Sequence, residues 1–455
     1  YHAQIRSLQC AAHLEVLGQL TLREGESSIA GAFEMTGTLQ LDAGHLSLYG
    51  GGTFDGNLYV AEEADVILAE GSYVVQNILS PAPPALYYRS LVVGTEGIGV
   101  SLTVGVNTVI EVDRLTLQAG GTLDGAGTFR VARSFTWTGG TMAGAGNTTL
   151  VLGASGLVDA NVTSARAIIN YGRLAIEQRR TLTMAGVELS NYGELELRRG
   201  STLASTGAAQ LVNVWDGLFL RGEVYARTAG GFASIAVAME NRGAISVESG
   251  SLDIDSTFTN FGNGSILVAA NCRFRLNAAG FTQSFIAGSS ISGVGTVVLS
   301  GGLTRIEENA MLSVSRLEIL MGSQLGGSGI LTAGSCEWSG GVLKDNITVQ
   351  INAGSTMSIE AGANPPLLMI DSAVIINRGV IHFAGNGALQ MSANARIVND
   401  GVANEGIFQI ESTANILEDE ENAIQNTRVE IVNGGVLEVM PTARDNLIEA
   451  SLINL

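Results

Sequence analysis

Ile169-Asn170-Tyr171-Gly172-Arg173-Leu174-Ala175-Ile176 is the stretch from which the fold is read. An Asn and a Gly mark a turn, and the residues after them alternate apolar with polar. That period of two is the signature of a β-strand with one face buried. The same phrase returns as Asn191-Tyr192-Gly193-Glu194-Leu195-Glu196-Leu197 and as Asn241-Arg242-Gly243-Ala244-Ile245-Ser246-Val247. It recurs at Asn377-Arg378-Gly379, Asn404-Glu405-Gly406 and Asn433-Gly434-Gly435, each followed by alternating apolar residues. Looser copies span Asn213 to Leu220 and Asn260 to Val268.

Neighbouring copies lie about 20 to 29 residues apart, the length of one solenoid coil of three short strands and their turns. The expected fold is all-β: a right-handed parallel β-helix (a β-solenoid), elongated, with about 20 coils and a length on the order of 100 Å. Asn and Gly suit the turn because both accept left-handed backbone angles. Asn170, Asn191, Asn241, Asn377, Asn404 and Asn433 are also expected to stack their amides into a ladder along the axis.

A coarser repeat overlies the fine one. Leu115-Thr116-Leu117, Gly120-Gly121, Leu123, Gly125, Trp137 and Gly139-Gly140 return about 201 residues later as Leu317-Glu318-Ile319, Gly322, Leu325, Gly327, Trp338 and Gly340-Gly341. Trp137 and Trp338 hold matching places and read as core residues. Three segments are expected: 1–90, an N-terminal solenoid segment with a Pro-rich loop near 81–84; 91–300, a first superunit; and 301–455, a second superunit continuous with the first. Asn364-Pro365-Pro366 reads as another loop, because proline cannot serve a central ladder.

Composition narrows the function. The net charge is −19, with 59 Gly and only 24 Lys and Arg among 455 residues. A nucleic-acid partner would need a basic stripe, which this chain lacks. No apolar run is long enough to span a membrane. The chain opens on Tyr1-His2-Ala3 without a signal-peptide pattern and reads as processed or trimmed. Cys10, Cys272 and Cys336 are far apart and read as buried thiols.

Acid–base or metal chemistry would rest on the carboxylates and histidines. His2, His13, His45 and His382 form no HExxH, and the first three fall in the least regular part of the sequence. Asp253 and Asp255 are period-two neighbours, about 7 Å apart on one strand face, and are the best acid–base pair. Asp55 and Asp124, each before a Gly, read as turn formers. The acidic run Glu418-Asp419-Glu420-Glu421 reads as a solvated turn. Arg179-Arg180 and Arg198-Arg199 would line up as a small basic patch, but Glu177 and Glu196 offset it, and the stretch reads as a solvated face. No catalytic residue, cofactor or metal ligand is assigned. Four sequons, Asn147, Asn346, Asn161 and Asn263, are candidate glycosylation sites, with Asn147 and Asn346 at corresponding places of the long repeat.

The phrase Val/Ile-x-Asn-x-Gly-x-apolar-x-apolar, over about 160–440, resembles the coils of filamentous-haemagglutinin-like and autotransporter surface adhesins, and of extracellular filament proteins such as flagellar hairs. The resemblance implies a right-handed parallel β-helix on a cell surface. The expected function is a non-catalytic, secreted or cell-surface structural rod, acting in adhesion or as a filament subunit. The competing expectation is a β-helical polysaccharide lyase or hydrolase, or a carbohydrate-binding solenoid. Expected partners are other protein chains, end to end or at a surface, and glycans.

Overall fold

The computed structural model describes residues 2–76, 86–361, 368–385, 387–400, 406–410, 415–418, 430–439, 448 and 450–454. Asn404, Pro81 to Pro84, Asn364 to Pro366, Asp419 to Glu421 and Pro441 lie outside them. Among the described residues there is no helix, and the strands make about 19 turns of parallel β-solenoid. Two compact units are present, Tyr1–Val224 and Tyr225–Leu455.

In the first unit the coil is plainest at the Asn-x-Gly phrases. Strands Ala167–Asn170, Arg173–Ile176 and Thr181–Ala185 make one coil. Glu188–Asn191, Glu194–Arg198 and Thr202–Thr206 make the next. Each strand pairs in parallel with its counterpart one coil on: Ile168 with Leu189, Leu174 with Leu195, Leu182 with Leu203. The inward residues Leu174, Ile176, Leu182, Leu189, Leu195 and Leu203 are buried. Each such leucine or isoleucine is worth about 1.5–3 kcal/mol of burial, and only the stacked neighbour supplies the cover.

The N-terminal stretch, expected to be the least regular, is the most regular. Strands Gln19–Leu22, Thr38–Leu41 and Asn57–Val60 pair Leu20 with Leu39 and Leu39 with Leu58, a fixed step of 19 residues. Gly18, Gly37 and Gly56 keep the same step. The first unit also buries a charge. Arg166 is fully enclosed, its guanidinium over the Phe129 ring at 5.1 Å. It donates to the carbonyls of Gly125 (2.8 Å), Ala143 (3.1 Å), Asn147 (3.2 Å) and Gly127. Burial pulls its pKa down to about 10, and Asp124 opposes that shift.

The second unit repeats the plan. Val374–Asn377, Arg396–Asn399, Glu430–Asn433 and Ser451–Asn454 form one parallel row, and Val380–Gly385, Ile407–Ile410 and Val436–Val439 form another. The coarse sequence repeat is visible as strand order. Val109–Leu117, Gly121–Gly125 and Thr128–Trp137 in the first unit match Met311–Ile319, Ser323–Gly327 and Ile330–Trp338 in the second. Trp137 and Trp338 are both core residues, as expected, and Trp338 donates its indole N–H to the Gly340 carbonyl at 2.9 Å. Cys272 and Cys336 are buried thiols, whereas Cys10 is half-exposed. Burial pushes the Cys336 thiol up to about 12.

One expectation fails for an instructive reason. Neither the ladder asparagines nor Gly172, Gly193, Gly379 and Gly435 have positive φ. These glycines are required by proximity instead. A Cβ on Gly193 would overlap the Gly172 carbonyl oxygen, and one on Gly435 would overlap that of Gly406. The coil below comes too close for any side chain.

Candidate binding groove beside the asparagine corner

Three amide ladders run inside the corner. In the first unit Asn170 donates to Asn191 and Asn191 to Asn213, both at 2.8 Å. In the second, Asn241 donates to Asn260 at 2.7 Å. Asn377 donates to Asn399, and Asn399 to Asn433, both at 2.7 Å. An amide can do this because it carries a donor and an acceptor at opposite sides of one flat group. A spare amide N–H turns to a backbone carbonyl, as Asn170 does to Glu194, Asn377 to Ile407 and Asn399 to Val436. At the foot of the first ladder the preceding coil offers Leu150, and Asn170 Oδ1 is buried without a hydrogen bond.

Asn213, Asn260 and Asn399 belong to these ladders although their phrases are imperfect. In each, extra residues separate the Asn from the glycine that restarts the coil: 214–221 before Gly222, 261–263 before Gly264, and 400–405 before Gly406. The corner therefore absorbs insertions.

The insertion 214–221 is a built hairpin. Trp215 and Arg221 form an antiparallel bridge, and the Asp216 N–H donates to the Leu220 carbonyl at 3.0 Å. The Asp216 carboxylate accepts the N–H groups of Leu218 (2.8 Å), Phe219 (2.9 Å) and Leu220 (3.0 Å), which holds its pKa below the usual range. Leu218 and Phe219 are held at the tip, 80% and 91% exposed.

Outside the ladder, the middle residues of two Asn-x-Gly phrases stack. The Tyr171 and Tyr192 rings lie 4.8 Å apart at 21°. Burial, then Tyr171, raises the pKa of the Tyr192 hydroxyl. Between these rings, the hairpin and the Leu152 turn lies an open groove of about 560 Å³, lined by Tyr171, Tyr192, Phe219, Arg173, Arg221 and Glu194 among others.

Ion pairs, most of them between coils, continue from the groove. Arg173 reaches Glu194 at 3.9 Å and also pairs with Glu196. Arg198 reaches Glu196 at 3.4 Å and pairs with Glu177. Burial pushes the Glu196 carboxyl up, but hydrogen bonds from Arg173 and Arg198 outweigh it, and the net shift is downward. Arg180 pairs with Asp159 at 3.3 Å. Of the two Arg-Arg pairs, Arg180 and Arg198 are thus each matched with carboxylates.

Asp253 and Asp255 are each engaged by neighbours. Asp253 accepts from Ser251 at 2.6 Å and lies 3.8 Å from Arg275. Asp255 accepts from Ser234 and, at 3.0 Å, from Asn277. Burial raises the Asp253 pKa, and Asp255 adds to the rise. Asp124 lies inside the strand Gly121–Gly125, paired with Thr103, and accepts the Gly125 N–H at 2.6 Å, while Asp55 is exposed after its strand. His45 lies 3.0 Å from Asp65, and His382 occupies an outward strand position.

Of the sequons, Asn161, Asn263 and Asn346 are exposed. Asn147 is half-buried and accepts from Thr149 at 3.1 Å. Asn147 begins a strand, and the matching position of the long repeat is Thr348; Asn346 sits two residues earlier in a left-handed turn with φ of 66°. Among the described residues no group of three His, Cys, Asp or Glu is placed to hold a metal ion, and no helix is long and apolar enough to cross a membrane. Comparison with family models, curated proteins and solved structures found no match.

Proposed function

We propose that this chain is a non-catalytic structural β-solenoid, secreted or displayed at a cell surface, that acts in adhesion or as part of an extracellular filament. The observation that carries this reading is the corner itself. Ladders of buried amides hold the coils in register, while the same corner projects a hydrogen-bonded hairpin with two exposed apolar side chains. A register-locked scaffold bearing a stiff contact loop is what an adhesive surface requires. The cross-coil ion pairs and the net negative charge suit a surface that stays hydrated. Immunogold labelling of intact source cells with antibody against the chain tests the proposal. Label on the outer surface or on shed fibres supports it; label confined to the cell interior overturns it.

A second reading, a β-helical carbohydrate-active enzyme, is favoured by one observation. Asp253 is a carboxyl biased toward its protonated form beside a second carboxyl, Asp255, as glycosidic general-acid chemistry requires. Release of reducing ends from a polysaccharide by the wild-type chain, abolished in Asp253→Asn, would establish it.

A further inference from the structure

We propose that the groove beside Tyr171 and Tyr192 is a binding site for an uncharged oligosaccharide. Saccharide hydroxyls and C–H faces ask for two things at once: aromatic surface, and flat polar side chains that donate or accept in pairs. The groove has both. Tyr171 and Tyr192 are spaced by one coil, and Phe219 stands on the opposing hairpin. Arg173 and Glu194 supply a guanidinium and a carboxylate at the floor, 3.9 Å from each other. Arg221 and Glu223 add a second guanidinium and a second carboxylate to the lining.

Charge selects the class of sugar. Two arginines face two glutamates in the lining, and Arg173 is further neutralised by Glu196. A uronate or sulfated chain would meet as much repulsion as attraction, so the balance favours a neutral one. The volume, about 560 Å³, lies within the range of ligand sites. The hairpin wall is already fixed by the three N–H groups on Asp216, so little ordering is left to oppose binding.

The protein carries its own reporter. Trp137 and Trp338 are fully buried, and Trp215, the third of its three tryptophans, is exposed on the hairpin. The test is titration of the whole chain with cellohexaose, xylohexaose, mannohexaose, maltohexaose and chitohexaose, with hexagalacturonate as the charged contrast. Tryptophan emission and calorimetry are both read.

The expected result is saturable binding of at least one neutral hexamer below about 1 mM, unchanged by added salt. Phe219→Ala removes an exposed tip residue and is expected to weaken it about tenfold, with circular dichroism unaltered. Met321→Ala, at an exposed site of the second unit, is expected to bind as wild type. Three outcomes each overturn the proposal: no neutral hexamer binding at about 10 mM, binding of hexagalacturonate alone, or neutral-hexamer binding that Phe219→Ala leaves intact.

Discussion

Removing one rung tests whether the amide ladder holds the coils in register. Asn191 is fully buried: its Oδ1 accepts from Asn170, and its two N–H groups are shared among Asn213 Oδ1 and the carbonyls of Gly193 and Glu223, at 2.8 to 3.1 Å. Asn191→Ala deletes the accepted bond and both donated protons. At a net value of about 1 kcal/mol for each of these, the loss is about 3 kcal/mol. In a solenoid each coil contacts only its neighbours, so the loss is local. Amide hydrogen exchange in 167–176, 188–198 and 210–213 should speed up by roughly a hundred- to a thousandfold, at about 1.4 kcal/mol per factor of ten. Exchange in 374–399 should not change. Asn161→Ala is the control: Asn161 is exposed and accepts only the Thr181 N–H in the described bonding, at 2.9 Å. It should cost under about 1 kcal/mol. The ladder reasoning is refuted if the two variants behave alike, or if the Asn191 effect stays below about tenfold.

Gly193→Ala should be as damaging as a core cavity, costing about 2–4 kcal/mol in urea denaturation, because the new Cβ meets the Gly172 carbonyl; Gly186→Ala, where nothing lies within 4 Å, should cost only the strain of its positive φ. Glu196 has a depressed folded pKa, so its stabilisation is present above the unfolded carboxylate value and is lost as pH falls through the folded one. Glu196→Gln should remove about 1–2 kcal/mol at neutral pH and flatten the acid limb of the stability curve. Asp253 is the opposite case: a raised folded pKa favours the fold below the unfolded value and loses that advantage as pH rises through the folded one. Asp253→Asn should therefore match the wild type in acid and gain on it toward neutral pH, read as thermal midpoints across the two conditions.

The period-two alternation after each Asn-x-Gly was enough to place strands, core leucines and most ladder asparagines. Burial of Trp137 and Trp338 was legible for the same reason. The role of the glycines was not, because sequence shows that a residue is Gly without showing whether φ or a neighbouring coil demands it. Asn399 is hidden in the sequence because Gly406, which serves its corner, lies seven positions later, and the nearer Asn404 completes the Asn-x-Gly phrase. The regularity of 18–58 is carried by Gly18, Gly37 and Gly56 with Leu20, Leu39 and Leu58, a signal visible at a step of 19 but without any Asn-x-Gly. The groove arises where Tyr171 and Tyr192, which hold the same place in successive Asn-x-Gly phrases, come to rest beside an insertion, and nothing in the phrases themselves marks that meeting. The one local clue was Trp215-Asp216-Gly217, where alternation stops and a turn begins.

The rungs of the ladders are separated by 19, 21, 22 and 34 residues, yet the amide bonds stay at 2.7–2.8 Å. The ladder thus acts as a counter that resets once per coil. An error of length made in one turn is discarded at the next asparagine and is not passed down the stack. A sequence built this way can lengthen a loop at that corner, or exchange it for another, without renegotiating the register of the strands beyond. Contact chemistry and scaffold are free to change at different rates, and the corner is the place to graft a foreign loop.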